Sequence, residues 1–183
     1  MSNRKKIQKL TVLSVLAAIT AIVAFVPLKT LGLEITFTMI PVAIGAILYG
    51  PSGGAVLGAV FGAVLLAINP VFTFIVCVPT RILAGLLAGL IYKALKTGCK
   101  SDIPALLTAS LAAPLLNTVF FMSSLVLFFY RTDYIQGFVS AMGAANPIMF
   151  ILLFVGINGL VEIICGFAVA FPAAKAISKY LKI

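Results

Sequence analysis

Four polar side chains stand in stretches that are otherwise apolar: Arg81, Asn117, Asn158 and Glu162. A polar group at membrane depth is expensive unless it has a partner or a wet cavity, so these four are the first candidates for holding a ligand. Arg81 lies two residues after Pro79. A helix opening at Pro79 would put its guanidinium in the first turn, where the positive dipole end and unpaired N–H groups already favour an anion such as a carboxylate. The competing use is internal: Arg81 snorkels to the outer interface or pairs with Glu162. Asn158 and Glu162 are four apart and share a helix face, and Asn117-Thr118 lies midway along another apolar run. Together they could line one polar pocket, or each could simply hydrogen-bond a neighbouring helix. Phe72 and Phe74, just before the Arg81 helix, could cap a ligand or belong to an interfacial belt with Tyr130 and Tyr134.

The residues that catalysis needs are missing. The chain has no histidine, which removes the commonest general base and metal ligand, and its carboxylates are Glu34, Asp102, Asp133 and Glu162. Cys77, Cys99 and Cys165 are far apart without CxxC spacing, and thiols in apolar runs behave as small hydrophobes. Gly50-Pro51-Ser52-Gly53-Gly54 is glycine-rich but lacks the Gly-Lys-Ser/Thr ending of a phosphate loop, so it is a turn between helices. No enzyme activity, metal site or cofactor is expected.

The elements that must position the polar residues follow from composition. Hydrophobic residues make up 63% of the 183, charged residues 9%, and mean hydropathy is +1.25. That is far from the roughly 25% charged share of soluble domains, so a water-soluble fold is excluded. At about 20 residues per crossing there is room for six helices in one membrane domain, 1–183. They are expected at about Gln8–Val26, Ile35–Tyr49, the stretch after Gly54 to Ile68, Pro79–Leu95, Ile103–Tyr130 and Pro147–Tyr180, with residues 131–146 as the one polar loop of any length. The last helix is long enough to project from the membrane. The first apolar run has a signal-like basic start, yet no small-x-small cleavage site lies between Pro27 and Glu34, so it counts as a helix. Gly54, Gly58 and Gly62 recur every four residues and form a face on which another backbone can approach closely. Ala17 and Ala21 form a similar small pair on the first helix, read from periodicity alone as packing within the bundle.

Of thirteen Lys and Arg residues, ten (Arg4, Lys5, Lys6, Lys9, Lys93, Lys96, Lys100, Lys175, Lys179 and Lys182) fall on one side of this topology, Lys29 and Arg131 fall on the other, and Arg81 lies within a helix. The fold class is therefore an all-α integral membrane protein of six transmembrane helices with both termini cytoplasmic. The net charge of +9 is explained by this orientation and does not point to nucleic acid.

Several segments in order resemble a known family, the substrate-binding S components of energy-coupling factor (ECF) vitamin transporters. They are the basic start leading to an Ala-rich first helix, Leu33-Glu34-Ile35-Thr36-Phe37-Thr38-Met39-Ile40-Pro41, Gly45 to Ala55 with the turn at Gly50, Pro79-Thr80-Arg81 to Gly89, Asn117-Thr118-Val119-Phe120, and the Lys-rich end. The resemblance implies a six-helix protein of the bacterial cell membrane that binds a small water-soluble vitamin near the outer side. It also implies docking on a transmembrane scaffold subunit driven by two cytoplasmic ATPase subunits, with Ala17 and Ala21 on the docking surface. Among vitamins the pattern is most similar to the pantothenate type, and a carboxylate would give Arg81 a role; riboflavin, pyridoxine, folate and hydroxymethylpyrimidine are the alternatives. The reading of another class is a self-sufficient secondary transporter or channel; against it stand Glu162 as the single intramembrane ion carrier and the lack of an inverted repeat.

Overall fold

The chain doubles back at Gly50. A Cβ placed on Gly54 would lie 2.9 Å from the Cβ of Ala46, and one on Gly53 would run into the Gly45 carbonyl. Residues eight apart in a continuous helix are separated by about 12 Å, so the segments before and after Gly50 are two limbs packed side by side. Gly50 has φ 69° and ψ −154°, a region open to glycine almost alone. Pro51 then supplies a fixed φ at the first position of the second limb.

In this computed structural model the described residues are 3–25, 28–30, 33–35, 37–68, 74–98 and 101–181, with the side chains of 28–30, 33–35, 157, 158, 161, 165 and 181 outside the description. The elements are α1 (Asn3–Phe25), β1 (Leu28–Thr30), β2 (Leu33–Ile35), α2 (Met39–Ile68), α3 (Phe74–Gly98), α4 (Asp102–Phe129), α5 (Asp133–Ala141) and α6 (Pro147–Leu181). The fold is helical apart from the antiparallel pair β1–β2, in register Leu28↔Ile35, where the sequence alone indicates just a change of direction. Among the described residues five helical stretches are long and apolar enough to cross a membrane: α1, α2, α3, α4 and Glu162–Tyr180 within α6. The expected six count the limbs of α2 separately.

The second limb of α2 runs antiparallel to α3 along its glycines. A Cβ on Gly54 would collide with the Gly85 carbonyl, one on Gly58 with the Arg81 carbonyl, and one on Gly62 would come within 2.7 Å of the Cys77 carbonyl oxygen. Each step of four on α2 meets a step of four on α3, and the two backbones touch with no side chain between them. The glycine face expected from the sequence is this interface. Around it α4 packs on α3 and α6, α6 closes back on α2, and α1 packs on α2. Buried Leu16, Thr20 and Ala24 mark the inward stripe of α1, whereas Ile7, Leu10, Ile22 and Phe25 are exposed on its far side.

Three expectations need correction. The second helix begins at Met39, not Ile35, which is paired in β2. The helix carrying Arg81 begins at Phe74, not Pro79, and Pro79 lies inside it. The segment 131–146 is not a plain loop, because it contains α5, which buries Ile135 and Val139 one turn apart against Met122, Leu125 and Phe150. After it, Gly143 turns with φ 65°, and Asn146 caps α6 by accepting from the Met149 N–H at 2.7 Å, with Pro147 at the first helical position.

Candidate functional site

Pro79 has no N–H to give to the carbonyl four residues back, and its ring opens the preceding turn of α3. The neighbouring carbonyl, that of Val76, takes up two donors instead: Thr80 Oγ1 at 2.5 Å and Arg81 Nη1 at 2.8 Å. Arg81 Nη1 also lies 2.9 Å from Thr80 Oγ1. The guanidinium is thereby folded against its own helix, and Arg81 is only 3% exposed. It is flanked by the rings of Phe121 at 4.2 Å and Phe61 at 5.3 Å, a cation–π arrangement that offsets part of the lost hydration.

This geometry overturns the helix-terminus rationale for Arg81. It is the eighth residue of α3, beyond the first turn in which the dipole and free N–H groups act. The side chain extends toward the start of α3, as far as the Val76 carbonyl, but stays covered by its neighbours. Starting at Phe74, seven residues bring the helix about 10 Å into the bundle before Arg81 is reached.

Three of the expected residues come to one height. Phe121, against the guanidinium, is one turn after Asn117 on α4, so the two share a face. Asn117 is 7% exposed, and its Oδ1 is buried with no hydrogen-bond partner among the described residues, as is Arg81 Nε. A Cβ on Gly159 would lie 3.8 Å from Thr118 Cγ2, and one on Gly166 would lie 3.6 Å from Pro114 Cγ. Glu162, half-buried between those two glycines, therefore stands beside the Asn117 turn. Arg81, Asn117 and Glu162 thus come from α3, α4 and α6, while Gly58 and Phe61 of α2 close the fourth side.

The other candidates divide. Phe74 opens α3 and is 59% exposed, two turns from Arg81 and apart from this layer. Phe72 and the side chain of Asn158 lie outside the described residues, as do Cys99 and the side chain of Cys165. Cys77 is buried as a free thiol one turn from Arg81. Ala17 and Ala21 are half-buried beside the inward stripe of α1, and Ala17 packs on the core.

Thr38 is the residue that the sequence did not single out. It is fully buried, and its Oγ1 has no partner among the described residues. Following the α2 hairpin outward from the Ala46–Gly54 contact brings Thr38 to the height of Gly62 and Cys77, about one turn beyond Arg81. Buried polar atoms are normally satisfied, and each exception calls for an explanation. Here one donor, Arg81 Nε, and two oxygens, Asn117 Oδ1 and Thr38 Oγ1, are unsatisfied within about two turns of each other. That set can bind but has no nucleophile and base in contact.

A family model described as ECF transporter, substrate-specific component, matches residues 8–174. No curated protein sequence matches the chain. Among solved structures, ThiT from Listeria monocytogenes is similar with a TM-score of 0.67 at 17% identity, covering 96% of this chain and 97% of that one. The S-component for biotin from an ECF-type ABC transporter is similar with a TM-score of 0.58 at 16% identity, covering 96% and 95%. At such identities these two structures speak for the fold.

Proposed function

We propose, since this chain belongs to the family of ECF transporter substrate-specific components, that it captures a small carboxylate-bearing vitamin at the layer formed by Arg81, Asn117 and Glu162. The family makes the chain a transport subunit and not an enzyme, and a multi-pass protein of the bacterial cell membrane. The observation that carries the ligand reading is that Arg81 Nε on α3 and Asn117 Oδ1 on the adjoining α4 are both buried and, among the described residues, both lack a hydrogen-bond partner. A donor fixed on a cation calls for an anionic acceptor, and an amide oxygen calls for a hydroxyl or N–H. Pantothenate offers a carboxylate for the first and an amide N–H and two hydroxyls for the second, and is the vitamin we assign to this layer.

Six membrane crossings with both termini cytoplasmic accommodate the ten basic residues at one end, and place Arg81 in the outer half. Thr38 adds an oxygen toward the outer end. Phe72, Phe74 and Asn158 extend the same reading as further ligand contacts. Mass spectrometry of ligand released from the purified chain tests it: a carboxylate vitamin supports the assignment, and a cationic or neutral vitamin overturns the role of Arg81.

For transport the chain docks on a transmembrane scaffold subunit served by two cytoplasmic ATPase subunits, using α1 around Ala17 and Ala21. α1 is the helix with the least cover from its own bundle, and small residues there let a partner helix approach closely. Ala17→Leu and Ala21→Leu are each expected to leave ligand affinity within about twofold while abolishing uptake in cells, because bulk is added to a close helix contact. Loss of binding together with uptake would assign the pair to the packing of α1 on α2.

A further inference from the structure

A second polar site lies at the opposite end of the bundle. A cleft of about 180 Å³ opens where the Gly50 turn, the last turns of α3 and the end of α6 meet. Its floor is the buried pair Ile47 and Leu48, and its wall carries Lys93, Lys96, Thr97 and Ser178. Lys93 and Lys96 are three apart and share a face of α3. Neither is ion-paired among the described residues. Lys96 Nζ instead lies 5.5 Å from the Tyr92 ring centre.

The backbone works against an anion here. The last turns of α3 and α6 present helix C-termini, the negative dipole ends. Thr97 Oγ1 donates to the Ala94 carbonyl at 2.8 Å and Ser178 Oγ to the Lys175 carbonyl at 3.0 Å, so both hydroxyls are occupied unless they rotate. Attraction for an anion must therefore come from the two ammonium groups. An apolar floor beneath paired cations is a surface for an amphiphile, with charge at the rim and hydrocarbon within. Basic pockets between membrane helices on the cytoplasmic side are where anionic headgroups are held.

We propose that this cleft binds a phosphate group carried by an anionic phospholipid, with Lys93 and Lys96 on the phosphate and Ile47 and Leu48 under the glycerol and first methylenes. The site is distinct from the Arg81 layer and does not depend on which vitamin that layer takes.

The test uses the full chain in vesicles of phosphatidylcholine containing a minority of phosphatidylglycerol, with retained lipid counted by native mass spectrometry after gentle extraction. The wild-type chain is expected to retain phosphatidylglycerol over phosphatidylcholine. One lysine beside an anionic lipid is worth about fivefold in affinity, so Lys93→Gln with Lys96→Gln is expected to lower retention about thirtyfold. Lys5→Gln with Lys6→Gln removes the same charge from α1 at the same end of the bundle, at residues that do not line the cleft, and is expected to change retention little. Equal losses in the two double variants, or none in the cleft variant, would overturn the site. Displacement of the lipid by millimolar inorganic phosphate would overturn the lipid as the source of the phosphate. Vitamin binding measured on the same samples reports folding, because no residue of the Arg81 layer is altered.

Discussion

Replacing Arg81 by Gln is expected to weaken binding of a carboxylate-bearing vitamin about ten- to a hundredfold, the size of a lost charge-assisted hydrogen bond in a partly dry site. Arg81→Lys should weaken it less, since a point charge remains while the fork that reaches Val76 and the ligand together is gone. Arg81 also holds its own helix and rests between Phe61 and Phe121, so some loss of stability accompanies either change. A ligand analogue separates the two effects. If the guanidinium reads the carboxylate, the wild-type chain prefers pantothenate to its alcohol analogue, and Arg81→Gln erases that preference. If Arg81 is purely structural, the variant weakens both ligands by the same factor. A double-mutant cycle with Glu162→Gln on thermal stability without ligand completes the test. Strong coupling would show that Arg81 is held mainly for Glu162 and would falsify the ligand-anion role as the principal one, while additivity leaves the guanidinium available to the ligand.

Gly58→Ala is expected to lower stability by about 1 to 3 kcal/mol, the range for overpacking a filled interface, and to reduce ligand affinity with it. The new methyl would collide with the Arg81 carbonyl oxygen, 2.7 Å from the Arg81 carbonyl carbon and 3.1 Å from the Ile82 nitrogen. All three are backbone atoms, so no side chain can swing aside. Relief comes only by moving α3 away from α2, which carries Arg81 out of its place between Phe61 and Phe121. Gly156→Ala in α6 is the contrast, because a Cβ there meets nothing within 4 Å. That change should be neutral or slightly stabilising, by up to about 1 kcal/mol, through better helix propensity. Thermal melting in detergent distinguishes the two. Equal melting temperatures for Gly58→Ala and wild type would mean that the α2–α3 contact is looser than its geometry indicates.

What the sequence made legible was what repeats or what is chemically out of place. Gly54, Gly58 and Gly62 announce a close helix contact because spacing of four has one structural meaning on a helix, and Arg81, Asn117 and Glu162 stand out because burial of such groups in an apolar chain is costly. Gly50-Pro51 marks the reversal because few residues can adopt that backbone. The start of α3 was illegible: Pro79 is as acceptable at a first helical position as inside a membrane helix that re-satisfies the freed backbone, and here Thr80 and Arg81 themselves take up the neighbouring carbonyl. α5 is nine residues long, with two buried positions, too few for a periodic signal to emerge. Thr38 carries no mark of its own, since a threonine in a chain of this composition is as often bonded to its own helix, as Thr20 and Thr118 are. The lysine-rimmed cleft is assembled from α2, α3 and α6 and exists only in three dimensions; in the sequence its lysines count toward orientation alone.

The central claim, that this chain by itself is a vitamin-binding protein, is tested most directly by equilibrium binding of radiolabelled pantothenate to the purified chain in detergent, with neither ATP nor any partner subunit. Saturable binding at one site per chain, competed by unlabelled pantothenate and weakened by Arg81→Gln, is the expected result. Binding that appears only after scaffold and ATPase subunits are added would contradict it, because the site would then be shared between subunits and the buried layer of Arg81 and Asn117 would not suffice.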